Sequence, residues 1–166
     1  MSHVPWQDRR PLCPVGGETF AVHVQTYRFD VDQVRVRVDD GTVQWVDAFW
    51  THDRGPYAVW TAQIPATTST TLSYYFALTD GTDTDYLSAG GLSENPPLDG
   101  GFQLNYATLS HAPLGATPAT GGTVFRVWAP SRTAAAVAGQ FNNWSTSAHV
   151  MTKSGEYFAR FVPGAG

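Results

Sequence analysis

Near the C-terminal end of the chain Phe141, Asn142, Asn143 and Trp144 stand in succession. Two aromatic rings beside two amides suit one kind of chemistry. Rings cover the apolar C–H faces of a sugar, while amides bond its hydroxyls. The stretch follows an alternating segment and reads as a loop, so its side chains are free to meet a ligand. The competing reading is that Phe141 and Trp144 pack a sheet edge and the asparagines shape a turn. Earlier in the chain Trp45, Phe49, Trp50 and Trp60 gather around two turns. Trp60 alternates with polar neighbours and reads as core. Trp45 and Trp50 lie near loops and are candidates for a sugar or interface contact.

Other chemistries find less support. Glycosidic bond cleavage needs two carboxyls facing one another roughly 5–9 Å apart. The acidic residues here, Asp39, Asp40, Asp80, Asp83, Asp85 and Asp99 among them, sit mostly in turns, and no catalytic residue is assigned. Asp80, Asp83 and Asp85 could gather oxygens around calcium, but they lack the calcium-hand spacing and read as a solvated hairpin turn. The five histidines show no metal-ligand spacing, and one cysteine, Cys13, can build neither a zinc site nor an internal disulfide. No metal and no cofactor is expected. Asn143-Trp144-Ser145 fits a glycosylation acceptor, a chance match in a chain without a secretory signal.

The formal net charge is −4 and the longest basic run is Arg9-Arg10, so the concentrated positive footprint of a nucleic-acid binder is missing. The first residues lack the basic and apolar regions of a signal peptide, and no apolar stretch could cross a bilayer. A cytoplasmic protein with no membrane partner is expected.

The elements that must position these residues are strands. Phe20, Val22 and Val24 alternate with His23 and Gln25; Val34, Val36 and Val38 alternate with Arg35 and Arg37. Ala58, Trp60, Ala62 and Ile64 form a third such face, and Leu72, Tyr74, Phe76 and Leu78 the most apolar one. Asp39-Asp40-Gly41, Arg54-Gly55-Pro56, Ile64-Pro65 and Asp80-Gly81 supply the turns. The stretch from Leu109 to Gly122 is rich in Ala, Thr, Pro and Gly and reads as a linker. Alternation resumes at Val124–Trp128, continues through Ala134–Ala138 and returns at Tyr157–Val162. The expectation is an all-β chain of two tandem immunoglobulin-like sandwiches: an extension over 1–17, a first sandwich over 18–108, a linker over 109–121 and a second sandwich over 122–166. Only 44 residues follow Gly122, against about 100 for such a sandwich, so the second one reads as incomplete.

A specific succession runs through the second half: GTVFRVWAP at 122–130, VAGQFNNW at 137–144, Met151, GEYF at 155–158 and VPGAG at 162–166. It resembles the first half of the starch- and glycogen-binding module that precedes the catalytic barrel of branching and debranching enzymes and occurs in the β subunit of AMP-activated kinase. More loosely, Glu18–Tyr106 resembles the N-terminal module of neopullulanases, cyclomaltodextrinases and maltogenic amylases. That likeness rests on Val22–Arg28, Asp30–Val36, Leu72–Gly81, Tyr86, Gly90-Gly91, Pro96-Pro97, Phe102 and Asn105-Tyr106.

These resemblances imply the non-catalytic front end of an α-amylase-superfamily (glycoside hydrolase family 13) enzyme. Its partners would be an α-glucan and a catalytic (β/α)8 barrel, with a homodimer through the N-terminal module as a further option. The glycogen-binding family places a sugar-stacking Trp at the position of Trp144. A rival from another class is an immunoglobulin-like interaction or adhesion protein without sugar affinity.

Overall fold

In the computed structural model residues 1–166 are described, apart from the side chain of Trp6. Period-two alternation becomes strands whose inner positions are sealed. Strand β1 (Arg9–Arg10) precedes β2 (Phe20–Tyr27), β3 (Gln33–Asp39), β4 (Val43–Arg54) and β5 (Tyr57–Ile64). They are followed by β6 (Thr71–Asp80), β7 (Asp83–Ser88), β8 (Gly91–Ser93) and β9 (Phe102–Asn105). Neighbouring strands run in the order β1-β2-β5-β4-β3-β6-β7-β8, with β9 also on β6.

The two layers are joined by one long strand. The first half of β4 pairs with β3 from Asp39↔Val43 to Val34↔Ala48, and its second half pairs with β5 from Phe49↔Thr61 to Arg54↔Tyr57. A bulge between Trp50 and His52 lets the strand turn from one layer to the other. Between the layers lies a single core: Phe20, Val22 and Val24 of β2, Val34, Val36 and Val38 of β3, Ala62 and Ile64 of β5, and Leu72, Tyr74, Phe76 and Leu78 of β6. Each fully buried aliphatic side chain of this kind is worth about 1.5–3 kcal/mol relative to exposure. Trp60 packs half-buried against this core and donates its indole N–H to Thr26. Asp80 and Asp83 face each other across the β6–β7 hairpin turn.

The stretch 1–17 is no mere extension. Ser2 bridges to Gln25, β1 pairs with β2, and the one-turn helix Pro5–Asp8 lies between them. His3 is buried among Tyr74, Phe76 and Phe102. Its Nδ1–H can only donate to the carbonyl of His23, so Nε2 accepts from the Tyr74 hydroxyl. Burial then holds the ring neutral, its pKa pushed down to about 4.

Nor is 109–121 a free linker. Strand β10 (Gly115–Ala119) pairs with β11 (Gly122–Trp128), and β13 (Tyr157–Pro163) and β12 (Thr152–Ser154) complete a four-stranded sheet in the order β10-β11-β13-β12. Small residues and a Pro118 tolerated on an edge strand disguised β10 in the sequence. Leu109 and Ala112 are buried with Cys13, Val124 and Ala159 in a second core. Burial pushes the Cys13 thiol up to about 11, so it is an inert packing group.

The opposite face of this sheet carries a third core of Val137, Met151, Phe158, Val162 and Ala165. Ala134–Ala138, expected to continue as a strand, makes only one bridge, Ala136↔Val150. Its residues serve as the roof of that core and the approach to the Phe141–Trp144 loop. Among the described residues no helix is long and apolar enough to cross a membrane.

Candidate functional site

The Phe141–Trp144 stretch is a tight structure built around one amide. A 3-10 turn spans Gln140–Asn142. The Asn142 side chain accepts from the Gly139 N–H at 2.9 Å and donates to the carbonyls of Val137 at 2.8 Å and Ser145 at 3.1 Å. His149 Nδ1 lies 3.0 Å from the same amide nitrogen. With both amide hydrogens engaged, Asn142 shapes the loop and has none left over for a sugar hydroxyl. This narrows the role read from the sequence.

Asn143 and Trp144 follow with φ of 51° and 59°, two consecutive left-handed residues. Asn tolerates that region; Trp enters it at a cost of order 1 kcal/mol, held by its N–H bond to the Gly139 carbonyl at 2.9 Å. The reversal throws the Trp144 ring outward, where it is 67% exposed. Trp50, Trp60 and Trp128 each give their indole N–H to a side-chain oxygen. Trp144 makes no such bond among the described residues. Phe141 instead belongs to the scaffold: it stacks on Phe125 with centroids 6.3 Å apart and meets His149 edge-on. A Cβ on Gly139 would sit 2.5 Å from Phe141 Cε1, so only glycine admits this ring beside the turn.

Trp45 and Trp50 are five residues apart on β4, and period-two alternation points them to opposite faces. Trp45 lies on the outer face, 41% exposed, with the Arg35 guanidinium 5.1 Å from its ring centroid and Tyr75 edge-on at 6.1 Å. Trp50 lies at the open end of the sandwich, paired across strands with Trp60. There Arg28, Phe29, Asp32, Trp50, Asp53 and Trp60 line a cavity of about 540 Å³. Asp53 accepts from the Trp50 indole at 3.0 Å and pairs with Arg28 at 3.0 Å. Phe29 stands at the rim, 95% exposed in a left-handed conformation (φ 64°), with Arg28 over its ring at 5.2 Å. Sequence reading missed Phe29. The available signal was a lone ring placed between two strand patterns, flanked by Arg28 and Asp30.

Thus Trp45, Trp50 and Trp144 occupy three separate places. Among the described residues there is no group of three or more His, Cys, Asp or Glu arranged to hold a metal ion.

The segment holding the Trp144 loop has relatives. Residues 113–166 match the family described as carbohydrate-binding module 48 (isoamylase N-terminal domain). The chain is 45% identical over 47 residues to the 1,4-alpha-glucan branching enzyme of Marinobacter nauticus, covering 27% of this chain and 7% of that enzyme. It is 49% identical over 35 residues to the 1,4-alpha-glucan-branching enzyme of Aspergillus oryzae, covering 21% of this chain and 5% of that enzyme. The chain therefore spans a small fraction of the relatives it matches. A cyclomaltodextrinase structure overlaps 54% of this chain and 16% of its own length, with 18% identity and a TM-score of 0.48. The module-48 segment begins at Pro113, so it includes β10, which the sequence reading had assigned to the linker.

Proposed function

We propose that this chain is a non-catalytic accessory segment of an enzyme that hydrolyses or transfers α-glucosidic bonds in starch, glycogen or maltodextrins. The module-48 segment supports it, and so do relatives that are α-glucan branching enzymes. The observation that carries it is the Trp144 ring, held outward by two left-handed residues on a loop locked by Asn142. An exposed ring with an unpartnered indole N–H suits the alternating C–H faces and hydroxyls of a glucose chain. Asn143, next to it, is the amide free to join the contact. The catalytic carboxylates belong in this reading to a (β/α)8 barrel with which the segment works.

Affinity electrophoresis through glycogen or amylopectin tests the reading. Retardation of the chain, relieved by Trp144→Ala, supports it; equal mobility of the folded chain in gels with and without glucan overturns it.

A second reading concerns the N-terminal sandwich and is favoured by the exposed Phe29 and Trp50 that line one cavity there. Such a patch serves either a short oligosaccharide or a protein face, including a second copy of the chain. Sedimentation at rising concentration separates these: self-association lost in Trp50→Ala identifies the protein face.

A further inference from the structure

Where β1 meets the second sheet, residues including Arg9, Ser110, His111, Ala112 and Arg126 line an open cavity of about 330 Å³. Two of these are cations and none is acidic, in a chain whose net charge is −4. Arg9 is only 3% exposed. Its Nε–H donates to the Pro5 carbonyl at 2.8 Å and Nη2 to the His111 carbonyl at 3.2 Å. Arg126 Nη1 donates at 2.9 Å to the next carbonyl, Ala112, and its guanidinium rests 4.4 Å from the Tyr157 ring centroid. Neutral carbonyls and a ring thus fix both guanidiniums against one turn. Neither cation has a carboxylate within 4 Å among the described residues, where the ion pairs are Arg28–Asp53, Arg35–Asp47 and Arg37–Asp39.

Burying a guanidinium without a counter-charge is costly, and neutral acceptors offset only part of that cost. His111 adds no positive charge. Its Nε2–H donates to the Pro14 carbonyl at 2.9 Å, Nδ1 lies 3.1 Å from the Asn105 carbonyl and 3.2 Å from the Asn105 N–H, and burial holds the ring neutral, its pKa pushed down to about 4. What remains is a preformed pair of forked donors beside the Ser110 hydroxyl in a space of a few hundred Å³. Planar forks of this kind match the oxygens of a tetrahedral or carboxylate anion.

We propose that this cavity binds a small oxyanion of the phosphate class, held between Arg9 and Arg126. The bound anion ties β1 of the first sandwich to β11 of the module-48 segment. Free phosphate and the phosphate group of a small phosphorylated sugar share this chemistry, and the volume admits either.

The test is thermal unfolding of the chain titrated with inorganic phosphate and, in parallel, with glucose 6-phosphate, at ionic strength fixed with chloride. The expected result is a saturable rise in Tm with phosphate, absent with chloride, together with selective broadening of the ³¹P resonance. Arg126→Gln should weaken it at least tenfold, whereas Arg126→Lys keeps part of it. Glucose 6-phosphate binding tenfold tighter than phosphate marks a sugar-phosphate site; equal binding marks a site for the free anion. Identical Tm in phosphate and chloride, or an unchanged response in folded Arg126→Gln, would overturn the proposal. Should Arg126→Gln fail to fold, the ³¹P linewidth of the unaltered chain decides alone, with no broadening counting against the site.

Discussion

At the scale of single residues, the Phe141–Trp144 loop divides its labour. Trp144 is exposed and bonded only through its backbone, so Trp144→Ala should leave Tm nearly unchanged. It should lower glucan affinity by about 1–3 kcal/mol, the range of aromatic stacking on a planar ligand, or roughly 5- to 160-fold in Kd. Glycogen affinity electrophoresis and a thermal melt check the two halves of that statement. Asn142→Ala should do the opposite first. It orphans the Gly139 N–H and the carbonyls of Val137 and Ser145, costing about 1–3 kcal/mol of stability on denaturant unfolding, and binding falls only as the loop loosens. Position 143 offers a backbone control. Asn143→Gly should be neutral, whereas Asn143→Val, forced to a φ of 51°, should cost about 1–2 kcal/mol. The residue types in the loop were legible from sequence, since rings and amides announce themselves. The allocation of Asn142 to the scaffold was not, because it depends on carbonyls five residues behind and three ahead.

At the scale of elements, the strands with strict alternation were readable. The faces of β2, β3, β5 and β6 that the pattern assigns inward are those that close the first core. Elements without apolar alternation escaped. β10, Gly-Ala-Thr-Pro-Ala, owes its existence to a partner strand rather than to its own side chains, so composition alone read it as a linker. Ala134–Ala138 failed in the reverse sense: it alternates, but it meets a single bridge partner and stays irregular. The cross-strand pairing of Trp50 with Trp60 was not readable, since it follows from β4 changing layers. Gly139 shows how little slack the module-48 segment has. Gly139→Ala should force Phe141 off Phe125 and destabilise the chain by about 1–3 kcal/mol, visible as a lowered urea midpoint with an unchanged m-value.

At the scale of the whole molecule, the first residues hold both units. Removing residues 1–17 takes His3 from the first core and Cys13 from the second. The shortened chain should be several kcal/mol less stable, or unfolded, by circular dichroism under denaturant. Two buried histidines that bond across the molecule shape the acid response. His3 and His111, both held neutral by burial with pKa about 4, are protonated in the unfolded chain below its ordinary 6.5. The unfolded state therefore binds more protons between those values. Stability should be level above pH 6.5 and fall by about 1.4 kcal/mol per pH unit for each histidine down to pH 4. His3→Gln, which keeps a hydrogen-bonding side chain and removes one titration, should make that slope shallower in denaturant melts across the window, with His111 and the partly buried His23 supplying what remains.

Protein chains are made from the N-terminus forward, and here that direction matters. Cys13 leaves the ribosome long before Val124 and Ala159, the side chains that enclose it. For most of translation its pocket does not exist, and the stretch around it must wait, reduced and unshielded, until the closing hairpin of the last sheet emerges. A nascent chain arrested before Ala159 should therefore expose this thiol to a maleimide probe, and one extended past the sheet should hide it.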